Sequence, residues 1–140
     1  MTSLQKKPAP LFSMMHDLRY SDLDANGHVN NATYLSLMET ARWLFLSELG
    51  EQSEAILFVV AKIDVDFRRE LRWPGSAHST LDIARLGTTS FTLDQRLWQE
   101  GDEMAAAKVT MVGIDAASRR PVPLPPALRA CLPAAEDKPA

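Results

Sequence analysis

From Ile56 to Ala116 the apolar residues fall at strand spacing, in runs separated by turns of only a few residues. "ILFVVAKIDVDF" opens as a continuous apolar run and settles into alternation, with Ile63, Val65 and Phe67 on one face and Lys62, Asp64 and Asp66 on the other. "STLDIARLG" and "SFTLDQRLW" follow after the break at "WPGS" and are joined across "GTT". "EGDE" at 100–103 reads as a hairpin turn into a last long strand, "MAAAKVTMVGIDA". Connections this short permit only antiparallel neighbours, because parallel strands need a crossover of about a dozen residues.

One stretch ahead of these strands has helical periodicity. Asn31 to Leu49 carries Tyr34, Leu37, Met38, Ala41, Leu44 and Phe45 on one broad face, with Ser36, Thr40 and Ser47 on a narrow polar stripe opposite. It stops at Gly50, a residue suited to a helix C-terminal cap. An extended segment from Met14 to Ser21 precedes it, and "SRRPVPLPPALRACL" forms a proline-bounded exit with one short terminal helix. The whole, 1–140, reads as one domain, with 1–11 a flexible lead and 120–140 a proline-rich exit and tail. The class is α+β, a long helix lying across one face of an antiparallel sheet of about five strands. Five strands cannot wrap fully around such a helix. A sheet edge is expected to stay open, and pairing with a second copy would close it.

Several functions are excluded early. The net charge of -3, with no basic cluster beyond the pairs Lys6–Lys7 and Arg119–Arg120, argues against a nucleic-acid partner. The single cysteine, Cys131, has no partner for a disulfide or a metal site and reads as a structural or incidental thiol and not as a nucleophile. No segment has the length of a signal peptide's apolar core or of a membrane span, so the expected compartment is the cytoplasm.

The chemistry is concentrated in "RYSDLDANGHVNNATYLSLMETAR", residues 19–42, where a polar knot runs straight into the helix. Asp22, Asp24, Asn26 and Gly27 match the first half of a calcium loop, but its bidentate position falls on Thr33 instead of a glutamate. Asp22, Asp24 and His28 fall short of a zinc site, since His16 and His78 are isolated and supply no further ligand at recognisable spacing. A purely structural account has Asn30 or Asn31 capping the helix, the aspartates forming turns and Gly27 supplying a positive φ. That account still leaves a carboxylate, an imidazole and a helix N-terminus in one place, and helix N-termini attract developing negative charge.

The stretch resembles the signature of the hotdog-fold acyl-CoA thioesterases of the 4-hydroxybenzoyl-CoA thioesterase superfamily. That signature runs Y-x-D-x-D-x-x-G-H-V-N-N-x-x-Y, followed by a helix with a glutamate and an Ala-Arg pair. Tyr20, Asp22, Asp24, Gly27, His28, Val29, Asn30, Asn31, Tyr34, Glu39, Ala41 and Arg42 meet it here. "VAKIDVDFRREL", "GTTSFTLDQRLW" and "RRPVPLP" resemble the family's second strand, central hairpin and exit. The resemblance implies a long helix held in a curved antiparallel sheet, assembly into homodimers or tetramers, and active sites at the subunit interface. It implies Asp24 as the group that attacks the thioester or activates water, and the backbone N–H of Asn31 as the donor that polarises the carbonyl.

The family's benzoyl-CoA branch does not carry "HVNN" at these positions. His28 is kept as a site residue whose work (orienting water, contacting Asp24 or packing) stays open. Asp22 is assigned to the turn; Glu39 corresponds to a helix carboxylate that is catalytic in other hotdog branches, but in a different sequence context, and is assigned to an i,i+3 pair with Arg42. The expected activity is hydrolysis of an acyl-CoA to the free acid and coenzyme A, with no metal or redox cofactor. The rivals are a non-catalytic hotdog module that binds acyl thioesters and a hotdog hydratase or dehydratase. The latter resemble a D-x4-H arrangement, whereas Asp24 to His28 is one residue shorter. Leu57, Phe58, Val60, Phe67 and Trp73 are the candidates to line an acyl pocket.

Overall fold

The computed structural model describes residues 9–50 and 55–131. Strand β1 (Phe12–Asp17) leads through a 3-10 turn at Tyr20–Asp22 and the polar knot into helix α1 (Asn31–Glu48). Strands β2 (Ile56–Phe67), β3 (Ser76–Leu86), β4 (Ser90–Gln99) and β5 (Asp102–Asp115) follow, then a short helix α2 (Pro126–Arg129). They form one five-stranded antiparallel sheet in the order β1-β3-β4-β5-β2, with α1 packed across β1, β3 and β4. The expected α+β hotdog layout is therefore present.

Burial follows from the alternation. On β4, Phe91, Leu93, Gln95, Leu97 and Gln99 are all buried, and the residues between them are only half-buried. They meet Met38 and Phe45 of α1, together with Leu81, Met104 and Val109 from the neighbouring strands. Each fully buried Leu or Phe contributes about 1.5–3 kcal/mol relative to exposure, so this inner face is the main stabilising layer. Beneath the helix, Gln95 donates from Nε2 to the Met38 carbonyl (2.9 Å) and accepts from Arg42 Nη1 (2.9 Å). Those bonds offset the cost of burying an amide and a guanidinium.

Both helix ends follow their chemistry. Asn30 is the N-cap, its side chain accepting from the Ala32 N–H (2.9 Å). Gly50 takes φ 68° past the C-cap, where a side chain would be strained. The inward stripe differs from the expected one at one edge. Leu44 is 40% exposed, and Arg42 and Leu46 are buried in its stead, at 6% and 3%. The exposed Thr40 and Ser47 donate back to the Ser36 and Trp43 carbonyls of their own helix.

Two further expectations are corrected. The extended segment covers 12–17 instead of reaching Ser21, because the Asp22 carboxylate accepts the Arg19 N–H (2.7 Å) and folds 20–22 into a 3-10 turn. His16, for which the isolated position implies either a solvated or a core-edge histidine, is buried, and its Nε2 has no partner among the described residues. In the exit, Pro121 bridges Ile114, the Leu124 N–H donates to the Thr88 carbonyl, and Leu124 and Leu128 complete the core. Only residues 9–11 of the expected lead are described, and the tail after 131 lies outside the described residues.

Candidate active site

The knot is a small hairpin built on backbone pairing. Leu23 bridges Val29, the Asn30 N–H donates to the Asp22 carbonyl (2.9 Å), and the Asp24 N–H donates to the His28 carbonyl (2.7 Å). Asp22 and Asn30 thus form its base, beside the start of α1, and Asp24 and His28 lie near its tip. Gly27 provides the positive φ, 77°, that the turn requires. Asp22 is buried and committed to the turn, receiving the Arg19 backbone N–H and guanidinium at 2.7 and 3.1 Å. This matches its expected structural role.

Asp24 is exposed and only half committed. Its Oδ1 accepts the N–H groups of Asn26 (2.8 Å) and His28 (3.1 Å), while Oδ2 makes no hydrogen bond among the described residues. The carboxylate is thereby held in one orientation with an oxygen left open. His28 contributes its backbone to Asp24. Its imidazole points elsewhere, with Nδ1 3.7 Å from Glu70 Oε1 and both groups largely exposed.

The first turn of α1 offers donors selectively. Asn30 takes the Ala32 N–H through its side chain and the Thr33 N–H through its carbonyl (2.8 Å), whereas the Asn31 N–H has no acceptor among the described residues. From base to tip the hairpin spans about two residue rises, roughly 7 Å.

Tyr34, placed by its periodicity in the core, has a second task. Its hydroxyl accepts from the Leu71 N–H (2.6 Å) and donates to the Arg69 carbonyl (3.1 Å), fixing the segment after β2 against the start of α1. Burial pushes its hydroxyl above the ordinary tyrosine range. Phe67 packs edge-on against the same ring. The signal in the sequence was a tyrosine on an apolar helix face, whose hydroxyl must find a partner when buried.

The expected Glu39–Arg42 pair does not form. Arg42 is drawn under the helix to Gln95, and Glu39 acts on it only through longer-range charge. Glu39, Arg42, Trp43 and Leu46 instead form one wall of a groove of about 710 Å³. Ile56, Leu57, Phe58, Val60 and Ile63 of β2 and Met111 of β5 line the rest. Of the five pocket candidates, Leu57, Phe58 and Val60 therefore line this groove, whereas Phe67 lies against Tyr34 and Trp73 against Tyr20. Cys131 is half-buried and donates to the Ala127 carbonyl, in keeping with a structural thiol. No three His, Cys, Asp or Glu side chains converge as a metal-holding group among the described residues, and no helix there is long and apolar enough to cross a membrane.

Relatives carry the same layout. The long-chain acyl-CoA thioesterase FadM of Escherichia coli (strain K12) is 34% identical over 113 residues, covering 76% of this chain and 86% of that protein. A thioesterase from Thermus thermophilus, solved with coenzyme A and Zn, superposes with a TM-score of 0.75 at 31% identity, covering 85% of this chain and 94% of that one. The PA5185 protein of Pseudomonas aeruginosa strain PAO1 gives 0.79 at 32% identity over 94% of both chains. The model of the thioesterase-like superfamily matches residues 18–132, from just after β1 to the end of the exit. With that match over most of its length, and with the helix, sheet and knot in place, this chain belongs to the thioesterase-like superfamily.

Proposed function

We propose that Asp24 and the Asn31 N–H form the reactive pair of an acyl-CoA thioesterase that works as a homodimer. The chain is a thioester hydrolase of acyl-CoA. The reaction adds water to the thioester carbonyl, breaks the C–S bond, and releases a carboxylic acid and coenzyme A. Two groups suffice for it. A thiol with acidity near that of free cysteine, ~8.5, leaves with little proton help, so what remains is to deliver the nucleophile and to stabilise the oxyanion.

Asp24 Oδ2 attacks the carbonyl or activates the water, and the Asn31 N–H, aided by the positive end of α1, receives the developing negative charge. His28 is a positioning residue through the N–H it donates to Asp24. Two observations support this reading: Asp24 keeps one carboxylate oxygen open, and the Asn30 cap leaves the first-turn N–H of Asn31 unused. Nothing in it calls on a metal or redox cofactor.

The dimer rests on β2. This twelve-residue strand pairs with β5 on one side only, and its free edge carries Leu57, Val59, Val60, Ile63 and Phe67 with more than a third of each exposed. A second β2 would satisfy that edge and cover those side chains.

The test follows free thiol release across acyl-CoAs of varied chain length, with wild type and Asp24→Asn compared at equal oligomeric state. Wild type should turn over at least one of them, and Asp24→Asn should lower turnover by about a hundredfold or more with unchanged melting temperature. A variant that keeps most of its activity would remove Asp24 from the reaction.

A further inference from the structure

Topology gathers at one end of the sheet arginines that are scattered in the sequence. Arg85 Nη2 donates to Ser90 Oγ (3.2 Å) across the turn that joins β3 to β4. Arg129 of α2 donates from its Nη2 to the Gly87 and Thr88 carbonyls of the same turn, at 2.8 and 3.2 Å. A side chain at position 87 would lie 3.0 Å from Arg85 Nη1, so the glycine leaves room for that guanidinium. The exit segment runs alongside, with the Asp115 N–H donating to the Arg120 carbonyl and the Leu124 N–H to the Thr88 carbonyl. Arg119 and Arg120 are thereby brought to the same end.

All four arginines are exposed, and none has a carboxylate partner among the described residues. Elsewhere the opposite holds, for Arg19, Arg68, Arg69, Arg72 and Arg96 each lie within 4.0 Å of a carboxylate. Asp115, on the turn that carries Arg119, is occupied by the N–H groups of Ala117 and Ser118. Four uncompensated guanidinia in a chain of net charge -3 make a local positive field. Their planar forks match phosphate oxygens two at a time. Two of them are already held over the turn, which lowers the cost of ordering them around a ligand.

We propose that these arginines bind the phosphates of coenzyme A, and that they serve the reactive pair of the other copy in the dimer. The inference rests on the thioesterase reading and its β2 joint, and deepens both. The first phosphate of coenzyme A lies roughly 15 Å along an extended arm from the sulfur, and the ribose 3′-phosphate lies further on. Within one copy the knot is tied through Tyr34 to the Phe67 end of β2. The arginines are at the opposite end of the sheet, about 30 Å away along the ten residues of β4. That is beyond the arm's reach. Identical edges related by a two-fold axis pair antiparallel, so the joint carries the Ile56 end of one β2 toward the Phe67 end of the other. Ile56 pairs with Asp115, and Arg119 and Arg120 travel with it. Across the joint, β5 of one copy is two strand spacings, about 10 Å, from β2 of the other. An arm leaving the knot spans that width.

The experiment measures kcat and KM for one acyl group carried on coenzyme A and on pantetheine, which has the arm without the nucleotide. Wild type should favour the acyl-CoA in kcat/KM by about a hundredfold, the scale of several charge-assisted hydrogen bonds. Arg119→Ala combined with Arg120→Ala should raise KM for acyl-CoA at least about tenfold, with kcat and the acyl-pantetheine rate within about twofold of wild type. Arg85→Gln should move KM in the same direction. Adenosine 3′,5′-bisphosphate should inhibit wild type competitively, and the double variant at least about tenfold more weakly. The role of the second copy is read by mixing Arg119→Glu/Arg120→Glu copies with Asp24→Asn copies. A mixed dimer holds one site with Asp24 from one copy and both arginines from the other, so activity at low acyl-CoA should rise well above either parent. An unchanged KM for acyl-CoA in both arginine variants overturns the inference and leaves the thioesterase reading standing. A KM that rises equally for acyl-CoA and acyl-pantetheine also overturns it, since that is a loss of fold or assembly. So does inhibition by inorganic phosphate as strong as by the bisphosphate, which would make the cluster an unselective anion surface. No recovery on mixing with inactive Asp24→Asn copies overturns the assignment to the other copy. If Asp24→Asn copies stay active, the reactive pair is wrong and the KM comparison alone decides the inference. A wild type that hydrolyses no acyl-CoA overturns the thioesterase reading itself, and the inference with it.

Discussion

Strands β2 and β4 belong to the same sheet and have opposite fates. β4, "SFTLDQRLWQ", carries six polar or charged residues among its ten, yet every second residue is buried. β2, "ILFVVAKIDVDF", is far more apolar and has no fully buried residue. Position in the sheet decides this. β4 lies between β3 and β5 beneath α1, and its outward residues are satisfied by Asp94 pairing with Arg96 and Lys108, and Arg96 with Glu103. β2 is at the edge, beyond the strands that α1 covers, with its apolar side chains open. An outer face dressed in ion pairs is built for water. An apolar edge is built for contact.

The contrast can be broken most forcefully at β2. Val59 is near the middle of the strand, paired with Val112 on β5 and 38% exposed. In an assembly closed by two β2 strands, Val59→Lys would place like charges near one another across the joint, which costs several kcal/mol. The dimer dissociation constant should rise by about a hundredfold or more, seen by sedimentation at micromolar concentration, with activity falling in step. The charge-for-charge control belongs on β4's outward face, where Thr92→Lys should leave the assembly intact. If Val59→Lys stays fully associated, β2 is not the joint. If wild type sediments only as a 15.5 kDa species, the closure argument itself fails.

A second break lies where β2 hands over to β3. Tyr34→Phe keeps the ring against Phe67 and removes the acceptor of the buried Leu71 N–H. An unsatisfied buried donor costs about 1–3 kcal/mol. Chemical denaturation should register that loss, and a Tyr34→Phe protein as stable as wild type would show that the segment after β2 is held by other means.

How much of this was legible in the sequence differs in the same way between regions. β4 was legible because alternation states directly which side is wet. The helix was legible in length, from the Asn30 cap to Gly50, but not in its rotation. An arginine on a helix reads as surface, and only Gln95, fifty-three residues away, draws Arg42 inward. The Glu39–Arg42 spacing was compatible with a pair. The buried amide wins because it satisfies a donor already removed from water, while Glu39 would have had to follow it inside. Asp22 and Asp24 read alike as letters. One is buried on Arg19 and the other half open, a difference set by place along the knot's hairpin, Asp22 at its base against the core and Asp24 near its exposed tip. His16 is the plainest omission, since one polar residue in a mixed strand carries no sign of whether its side faces the helix.

That histidine gives a pH test. Burial, and then the neighbouring His78, holds its imidazole below the usual value of 6.5. Above that pH both the folded and unfolded chains carry it neutral, and it contributes no pH dependence. As pH falls below 6.5 the unfolded chain takes up the proton first, so stability falls, at most by about 1.4 kcal/mol per pH unit. Melting temperature measured from pH 7.5 down to 5.5 should decline more steeply in wild type than in His16→Gln. Parallel curves would mean that the imidazole is protonated equally well in both states.

The smallest effect lies in the knot, and it tests whether local ties there are as separable as they look. Asn30→Ala removes the acceptor of the Ala32 N–H at the start of α1. The loss of such a cap costs about 1 kcal/mol, which for a chain of this size lowers the melting point by about 3 °C. Asn30→Asp, which keeps an acceptor oxygen at the same place, should restore the stability. Neither change touches the Asn31 N–H, which the cap never used, nor the two N–H groups that hold Asp24. Turnover at saturating acyl-CoA should therefore remain within about threefold of wild type, against the hundredfold expected for Asp24→Asn. A cap variant that melted only a few degrees early and yet lost a hundredfold in turnover would make Asn30 part of the oxyanion site. The division drawn here, between a residue that ends the helix and a neighbour that uses its free end, would then be wrong.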